Sequence, residues 1–281
     1  EIVVEIPSNN YTLELMSLSA NNLTSNGVIN WGDKTIDYAN MANAYSHTYK
    51  QAGTYTIKGH FTFGNGATPT MSMRNVLKKV NFIATDTKNL NNAFRGCAKL
   101  TTIKLGNLNP TNMTETFYGC KSLTSIDFTG VDTFDCIEMR NTFYECESLV
   151  ELDLTMFNTR KVTTFYNCFS LCTGLERINL STFDTESVES MYGMFNGCSA
   201  LQELDLSTFV TTNVNTMAYM FQGCQSLAEL VLDNFDTTNV TNMSYMFSRC
   251  SGLTSTPLVI ITSISVGHAS PFLYVGSLHI K

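Results

Sequence analysis

The hydrophobic residues of this chain recur at a fixed period along most of its length. Seven cysteines mark the period, with one spacing of 23 residues followed by five of 26: Cys97, Cys120, Cys146, Cys172, Cys198, Cys224 and Cys250. A leucine stands three residues after each of these cysteines. Units that repeat at this length cannot bury their apolar side alone and therefore stack on one another. The pattern predicts a solenoid.

Each unit changes its hydrophobic period halfway along. An L-x-L alternation, such as residues 204–206, is typical of a short strand with one buried face. The second half of the unit spaces its apolar residues by three, four and three, as in Val240, Met243, Phe247 and Cys250. That spacing puts them on one stripe of a short helix. We therefore predict an α+β repeat with a short strand and a short helix in each 26-residue turn.

The chain divides into three predicted regions. Residues 1–68 lack the repeat and contain short β-prone runs separated by Asn, Gly and Ser, which predicts a small all-β sandwich. Residues 69–256 hold about eight turns, the first with Arg74 in the cysteine position. Residues 257–281 begin with Pro257, where the pattern lapses, and predict a β-rich C-terminal cap. The chain starts with Glu1 and ends abruptly, so we expect a mature or trimmed form.

The repeat resembles the BspA-like leucine-rich-repeat surface proteins of bacteria. The phrase that carries the resemblance is LxLxxFxTxxVxxMxxMFxxCxxL, which is nearly perfect over residues 175–253. The resemblance implies a leucine-rich-repeat solenoid at the cell surface or in secreted form. It also implies attachment to proteins of a host or a neighbouring cell.

The N-terminal region is similar to bacterial PKD-like β-sandwich domains. The similarity rests on INWGDKT at residues 29–35 and on SHTY followed by AGTYTI at residues 46–57, with Lys34 where that family has glycine. Trp31, Asp33 and His47 could be mistaken for a catalytic cluster. The resemblance instead implies that the tryptophan fills the sandwich core and that the aspartate and histidine satisfy turn backbone.

Composition supports an extracellular protein. Charged residues make up only 15% of the chain, against about 25% in typical soluble proteins. The net charge is −7. No apolar run reaches the ~18 residues of a membrane span, and the first residues lack the pattern of a signal peptide. We expect any export signal or anchor to lie upstream.

All nine cysteines align with apolar core positions of the repeat. Cys136 takes a position that other turns fill with valine, and Cys168 one that they fill with methionine. This alignment favours buried free thiols, and a single disulfide is the alternative.

The sequence offers no support for catalysis. It contains no nucleophile elbow, phosphate loop or zinc-protease motif, and its four histidines share no ligand spacing. We therefore predict no enzymatic activity, no cofactor and no metal. An acidic chain without aromatic residues among its basic ones is also a poor nucleic-acid binder.

The remaining source of function is the surface of the stacked strands. Residues beside the buried leucines point outward and align between turns into columns, which we expect to form a concave binding sheet. The predicted site consists of its charged members: Glu151, Asp153, Arg177, Glu203, Asp205, Glu229 and Asp233. The alternative is that these polar residues only keep the sheet soluble.

We predict that the chain binds an extracellular protein as an adhesion module. The alternative function is glycan capture for a polysaccharide-uptake system, although the outward strand positions carry no aromatic platform. Tyrosines on the other half of the unit should pair across turns: Tyr118 with Tyr144, Tyr166 with Tyr192, and Tyr219 with Tyr245.

Overall fold

The computed structural model describes residues 1–14, 28–38, 46–59, 71–81 and 88–254. These residues contain one helix and eleven strands, in chain order β1 (Ile2–Ile6), β2 (Tyr11–Glu14), β3 (Val28–Asn30), β4 (Ile36–Tyr38), β5 (Ser46–Tyr49), β6 (Gly53–Ile57), α1 (Met71–Arg74), β7 (Leu77–Asn81), β8 (Thr102–Lys104), β9 (Ser125–Asp127), β10 (Glu151–Asp153) and β11 (Arg177–Asn179). The predicted C-terminal cap at 257–281 lies outside the described residues.

One sheet joins the N-terminal residues to the first repeat turns. Its strand order is β6-β1-β7-β8-β9. Strand β1 pairs antiparallel with both β6 and β7, whereas β7, β8 and β9 pair in parallel. Three two-stranded pairs complete the described sheets: β2 with β5, β3 with β4, and β10 with β11. The predicted domain boundary at residue 68 stays a prediction.

The repeat turns stack in register. A row of parallel bridges connects equivalent residues of successive turns: Asn112, Glu138, Thr164, Ser190, Thr216 and Asn242. Each turn has a strand half, for example 201–209, and a turn half, for example 213–224. The bridge row runs through the turn half and holds neighbouring turns together there.

The predicted α+β fold, with a short helix in each turn, is wrong. The only helix among the described residues is the four-residue α1, and the turn halves contain no helix. In residues 113–120, the N–H groups of Thr116, Tyr118 and Cys120 donate to the carbonyl three residues earlier. The N–H groups of Phe117 and Gly119, which lie between them, donate instead to carbonyls of the next turn. Half of the amides are thus committed to stacking, so a continuous helical ladder cannot form.

Left-handed residues explain why the helical spacing does not yield a helix. Two positions in each turn half have a positive φ. The first is held by Asn92, Glu115, Asn141, Asn167, Gly193, Tyr219 and Tyr245, and the second by Gly96, Gly119, Glu145, Leu171, Gly197, Gly223 and Arg249. A left-handed residue every fourth position ends any right-handed helix. The three-four-three spacing therefore marks a chain of tight turns that all point their apolar side chains inward.

Two side-chain ladders fill the core of the turn half. Phenylalanine rings stack from one turn to the next with centroids 5.5–6.0 Å apart: Phe94, Phe117, Phe143, Phe169, Phe195, Phe221 and Phe247. The repeat cysteines from Cys120 to Cys250 use their Sγ–H as a donor to the carbonyl of a phenylalanine in the preceding turn. Cys198, for example, donates to Phe169 at 3.0 Å and Cys172 to Phe143 at 3.0 Å.

All nine cysteines are buried and free, which confirms the prediction of buried thiols over a disulfide. Burial raises their pKa, to about 12 for Cys172. Cysteine is a small side chain that fills an apolar position, and its thiol can also donate a weak hydrogen bond to a buried carbonyl. This explains why cysteine recurs at a position that packing alone could fill with valine or alanine.

Candidate binding groove

The strand halves of four successive turns line one groove. Its volume is about 860 Å³, and its lining runs from Glu151 to Asn234. The floor is apolar and includes Leu152, Ile178 and Leu204. All seven predicted site residues lie on this groove: Glu151, Asp153, Arg177, Glu203, Asp205, Glu229 and Asp233. The structure therefore brings the predicted residues together, and their role in binding stays a prediction.

Strand register places the groove residues side by side. The parallel pairing of β10 with β11 sets Glu151 beside Arg177 and Asp153 beside Asn179. The 26-residue period continues these two columns into Glu203 and Asp205 of the following turn. Their side chains are exposed, whereas the leucines between them are buried. This alternation is the one that the L-x-L pattern predicts.

An ion pair neutralises one end of the groove. Arg177 donates to a carboxylate oxygen of Glu151 through both Nε, at 3.0 Å, and an Nη atom. This hydrogen bonding raises the pKa of the Arg177 guanidinium. Farther toward the N-terminus on the same face, Lys104 pairs with Asp127 at 2.8 Å.

The carboxylates toward the C-terminal end lack such partners. Among the described residues, Glu203, Glu229 and Asp233 have no cationic group within ion-pairing distance. Asp205 is likewise free of an ion pair. The groove therefore carries most of its unpaired carboxylates at residues 203–233, with Asp153 as a further one near the other end.

The aspartates of the second column also hold local turns. Asp205 Oδ1 accepts from the Ser207 N–H at 2.9 Å, and Asp153 Oδ1 accepts from the Thr155 N–H at 3.0 Å. The Ser207 backbone N–H, followed by the Ser207 side chain, lowers the pKa of Asp205. In the turn between them, Asn179 makes the same kind of bond. Part of the acidic pattern thus has a structural cause.

The backbone ladder between turns is interrupted where the groove is most acidic. Strands β10 and β11 share a ladder, but within the described part of the chain residues 203–205 make no backbone hydrogen bond with either neighbouring turn. The same turn remains bonded in its turn half, where Thr216 bridges Asn242. The predicted continuous sheet is therefore interrupted at these residues, although the adjacent Gln202 N–H still donates to the Glu176 carbonyl at 3.2 Å.

Two residues of the groove lie outside the predicted site. Val231 is 67% exposed and stands in the column that the other turns of the groove fill with Asp153, Asn179 and Asp205. The sequence did contain a signal for this feature, because Val231 is the one apolar residue of an outward-facing column. Asn234 lines the groove and donates to the carbonyls of Leu206 and Phe209, at 3.0 and 2.7 Å. Nothing in the repeat pattern indicated that role.

Tyrosine ladders run along the turn half, as predicted. Ring centroids lie 4.6 Å apart for Tyr118 with Tyr144 and 5.1 Å apart for Tyr219 with Tyr245. Tyr166 stacks on Tyr192 at 4.6 Å. Guanidinium groups cover the outer faces of two rings, those of Arg95 over Tyr118 and Arg140 over Tyr166. Most ring faces are therefore occupied within the molecule.

The cluster in the N-terminal region is built as turn support. Trp31 is fully buried and donates to Asp37 at 2.8 Å, and His47 lies 2.8 Å from Asp33. Burial opposes ionisation of Asp33, but hydrogen bonds from Thr35 and His47 outweigh it and lower the pKa of the carboxyl. Lys34 adopts a φ of 76°, which is the glycine-like conformation of that turn.

The described residues contain neither a candidate metal site nor a membrane-spanning helix. No group of three or more His, Cys, Asp or Glu residues in that part of the chain is placed to hold a metal ion. No helix in it has the length and apolar character needed to cross a membrane.

Comparisons with known proteins place the repeats in a family. A family profile described as "Mycoplasma protein of unknown function, DUF285" matches residues 87–202, 111–228 and 137–258, which together exceed half of the chain. None of the curated proteins matches the chain. Among solved structures, the crystal structure of a T. pallidum leucine-rich repeat protein (TpLRR) is similar, with a TM-score of 0.34 and 18% identity, over 66% of this chain and 85% of that one.

Proposed function

We propose that this chain, which belongs to the DUF285 family, is a protein-recognition module whose binding surface is the groove at residues 151–234. The single observation that carries the proposal is the convergence of seven charged side chains on one concave, apolar-floored surface. Ligand sites combine such an apolar lining with a few placed polar groups. A stacked repeat supplies this surface without any catalytic residue.

The finer parts of the proposal rest on the sequence. We propose that the module acts in adhesion, in secreted form or at the cell surface, and that it has no enzymatic activity. The low charged content and the resemblance to BspA-like surface proteins support this location. We also propose, from the sequence resemblance, that residues 1–68 form a PKD-like domain.

Glycan capture is the weaker alternative. Sugar-binding sites commonly present the open face of an aromatic ring, and no aromatic residue lines the groove. On the turn half, the tyrosine rings stack on one another or lie under arginine. These observations favour a peptide or protein partner over a sugar.

A selection with phage-displayed random linear peptides tests the proposal. We expect enriched peptides to bind the chain and to lose binding when bulky side chains fill the groove in S181W/S207W, since both serines line it. The control, T173W/T212W, adds the same rings at exposed positions outside the groove and should retain binding. Enrichment on a glycan array without peptide enrichment, or equal binding by both variants, would contradict the proposal.

A further inference from the structure

The groove carries an uneven charge. Near its N-terminal end Arg177 offsets Glu151, whereas Glu203, Glu229 and Asp233 have no ion pair among the described residues. Exposed carboxylates of one sign in a concave, low-dielectric surface focus a negative potential. The electrostatic preference of the groove is therefore for a cationic partner that lies over residues 203–233.

Apolar surface accompanies this charge. Val231 is 67% exposed in the middle of the acidic residues, and Leu204 lies on the groove floor. A small metal cation or a free polyamine would use the carboxylates but leave the valine exposed to water. A partner with basic and apolar side chains close together uses both features.

The groove favours an extended peptide. It crosses four successive turns, so an occupant that contacts Glu203, Glu229 and Asp233 must span more than one turn. Every second side chain of an extended peptide points to the same side. A peptide that carries both basic and apolar residues on that one side therefore presents both to the groove.

A second copy of this chain does not fit the groove. A two-fold dimer would place the same surface on both partners. The strand face holds six carboxylates at residues 151–233 against Arg177, and its other cations are Lys79 and Lys104, the latter already paired with Asp127. Two such faces would repel each other, so self-association through the groove is disfavoured.

We propose that the groove binds an extended peptide segment that carries basic and apolar residues on one side, with its basic residues opposite Glu203, Glu229 and Asp233. This inference rests on the proposed protein-recognition function and specifies the class of partner. The segment belongs to another protein.

Fluorescence anisotropy tests the proposal with a labelled lysine–valine peptide, a repeat of Lys-Ser-Val-Ser that places lysine and valine on the same side. Two matched peptides, one with glutamate in place of lysine and one with serine in place of valine, separate the charge from the apolar contribution. We expect the lysine–valine peptide to bind best. Binding should weaken with added salt, because exposed charges are screened over about 8 Å at physiological ionic strength.

Charge-neutral variants locate the binding. E203Q/E229Q/D233N removes three groove charges and keeps side-chain shape, and we expect it to weaken the lysine–valine peptide about tenfold. The control E186Q/E189Q/D184N makes the same change at exposed positions outside the groove and should leave affinity within about twofold. Equal losses in the two variants, or equal binding of the three peptides, would overturn the inference.

The two proposals fail in different ways. If library peptides bind in the groove but the lysine–valine peptide does not, the partner class is wrong and the recognition function stands. If no peptide binds and the S181W/S207W variant behaves as the original chain, the recognition function itself fails.

Discussion

The two halves of each repeat turn are held together in different ways. In the turn half, alternate backbone amides bond to the next turn, and phenylalanine rings stack at 5.5–6.0 Å. In the strand half, β10 and β11 form a ladder, but residues 203–205 have no backbone bond to a neighbouring turn. The same repeat therefore supplies a closed scaffold on one side and an accessible surface on the other.

This difference has a physical cause in the side chains. The turn half buries aromatic rings that stack on one another, and repeat cysteines such as Cys198 donate to a carbonyl of the turn before them. The strand half buries mainly branched aliphatic residues, together with a phenylalanine such as Phe209. Its outward residues include carboxylates such as Glu203 and Glu229, which repel when turns close together. The turn half is therefore the more continuously bonded of the two halves.

The largest expected difference between the halves is in thiol reactivity. Cys172 in the turn half is fully buried and its pKa is raised to about 12 by that burial. At neutral pH the thiolate, which is the reactive form, should be about a thousandfold scarcer than in an ordinary thiol. A cysteine placed on the groove as S207C should react at the ordinary rate. A chromogenic thiol reagent at neutral pH measures both rates.

Denaturation provides the control for this comparison. The unfolded, unreduced chain should titrate nine thiols, because all nine cysteines are free. Seven or fewer thiols, with air oxidation prevented, would reveal a native disulfide. Native cysteines that react as fast as S207C would show that the turn half opens as readily as the groove.

The second prediction contrasts two neighbours in the strand half. Leu206 is 1% exposed, so Leu206→Ala should lower the free energy of unfolding by about 2–5 kcal/mol through lost burial and a cavity. Asp205 is exposed, and Asp205→Asn keeps the acceptor for the Ser207 N–H, so its effect should stay within about 0.5 kcal/mol. Urea unfolding followed by circular dichroism measures both. Equal losses would contradict the strand register, since a shift of one residue exchanges the two faces.

The strand register and the groove residues were predictable because they depend on a period of two. Leu204 and Leu206 had to share one face, and Asp205 had to lie on the other. The 26-residue period then aligned Glu203 with Glu229 without any knowledge of the fold. The stacked tyrosines and the buried thiols followed from the same alignment.

The turn half was mispredicted because its spacing fits two structures. Residues spaced by three and four point to one side in a helix, and also in successive tight turns. The distinguishing signal was weak. The left-handed positions hold glycine in some turns, such as Gly197 and Gly223, but Leu171 and Tyr219 in others, which are poor indicators of positive φ. The missing backbone bonds of residues 203–205 were not indicated by the hydrophobic pattern.

The smallest expected effect concerns the pH dependence of the strand half. The Ser207 backbone N–H, and then its side chain, lower the pKa of Asp205 in the folded chain. A carboxyl whose folded pKa is lowered stabilises the fold above its unfolded pKa, near 3.9, and that contribution is lost as the pH falls through the folded value. Because Asp205 is exposed, the contribution should be only a few tenths of a kcal/mol.

Asp205→Asn copies Asn179, which holds the same turn without a charge. Urea unfolding at a series of pH values from 5 downward should show the variant losing slightly less stability than the original chain. An identical pH dependence in the two proteins would mean that the Ser207 bond contributes no preference for the ionised carboxyl, and that the aspartate at this position serves the groove alone.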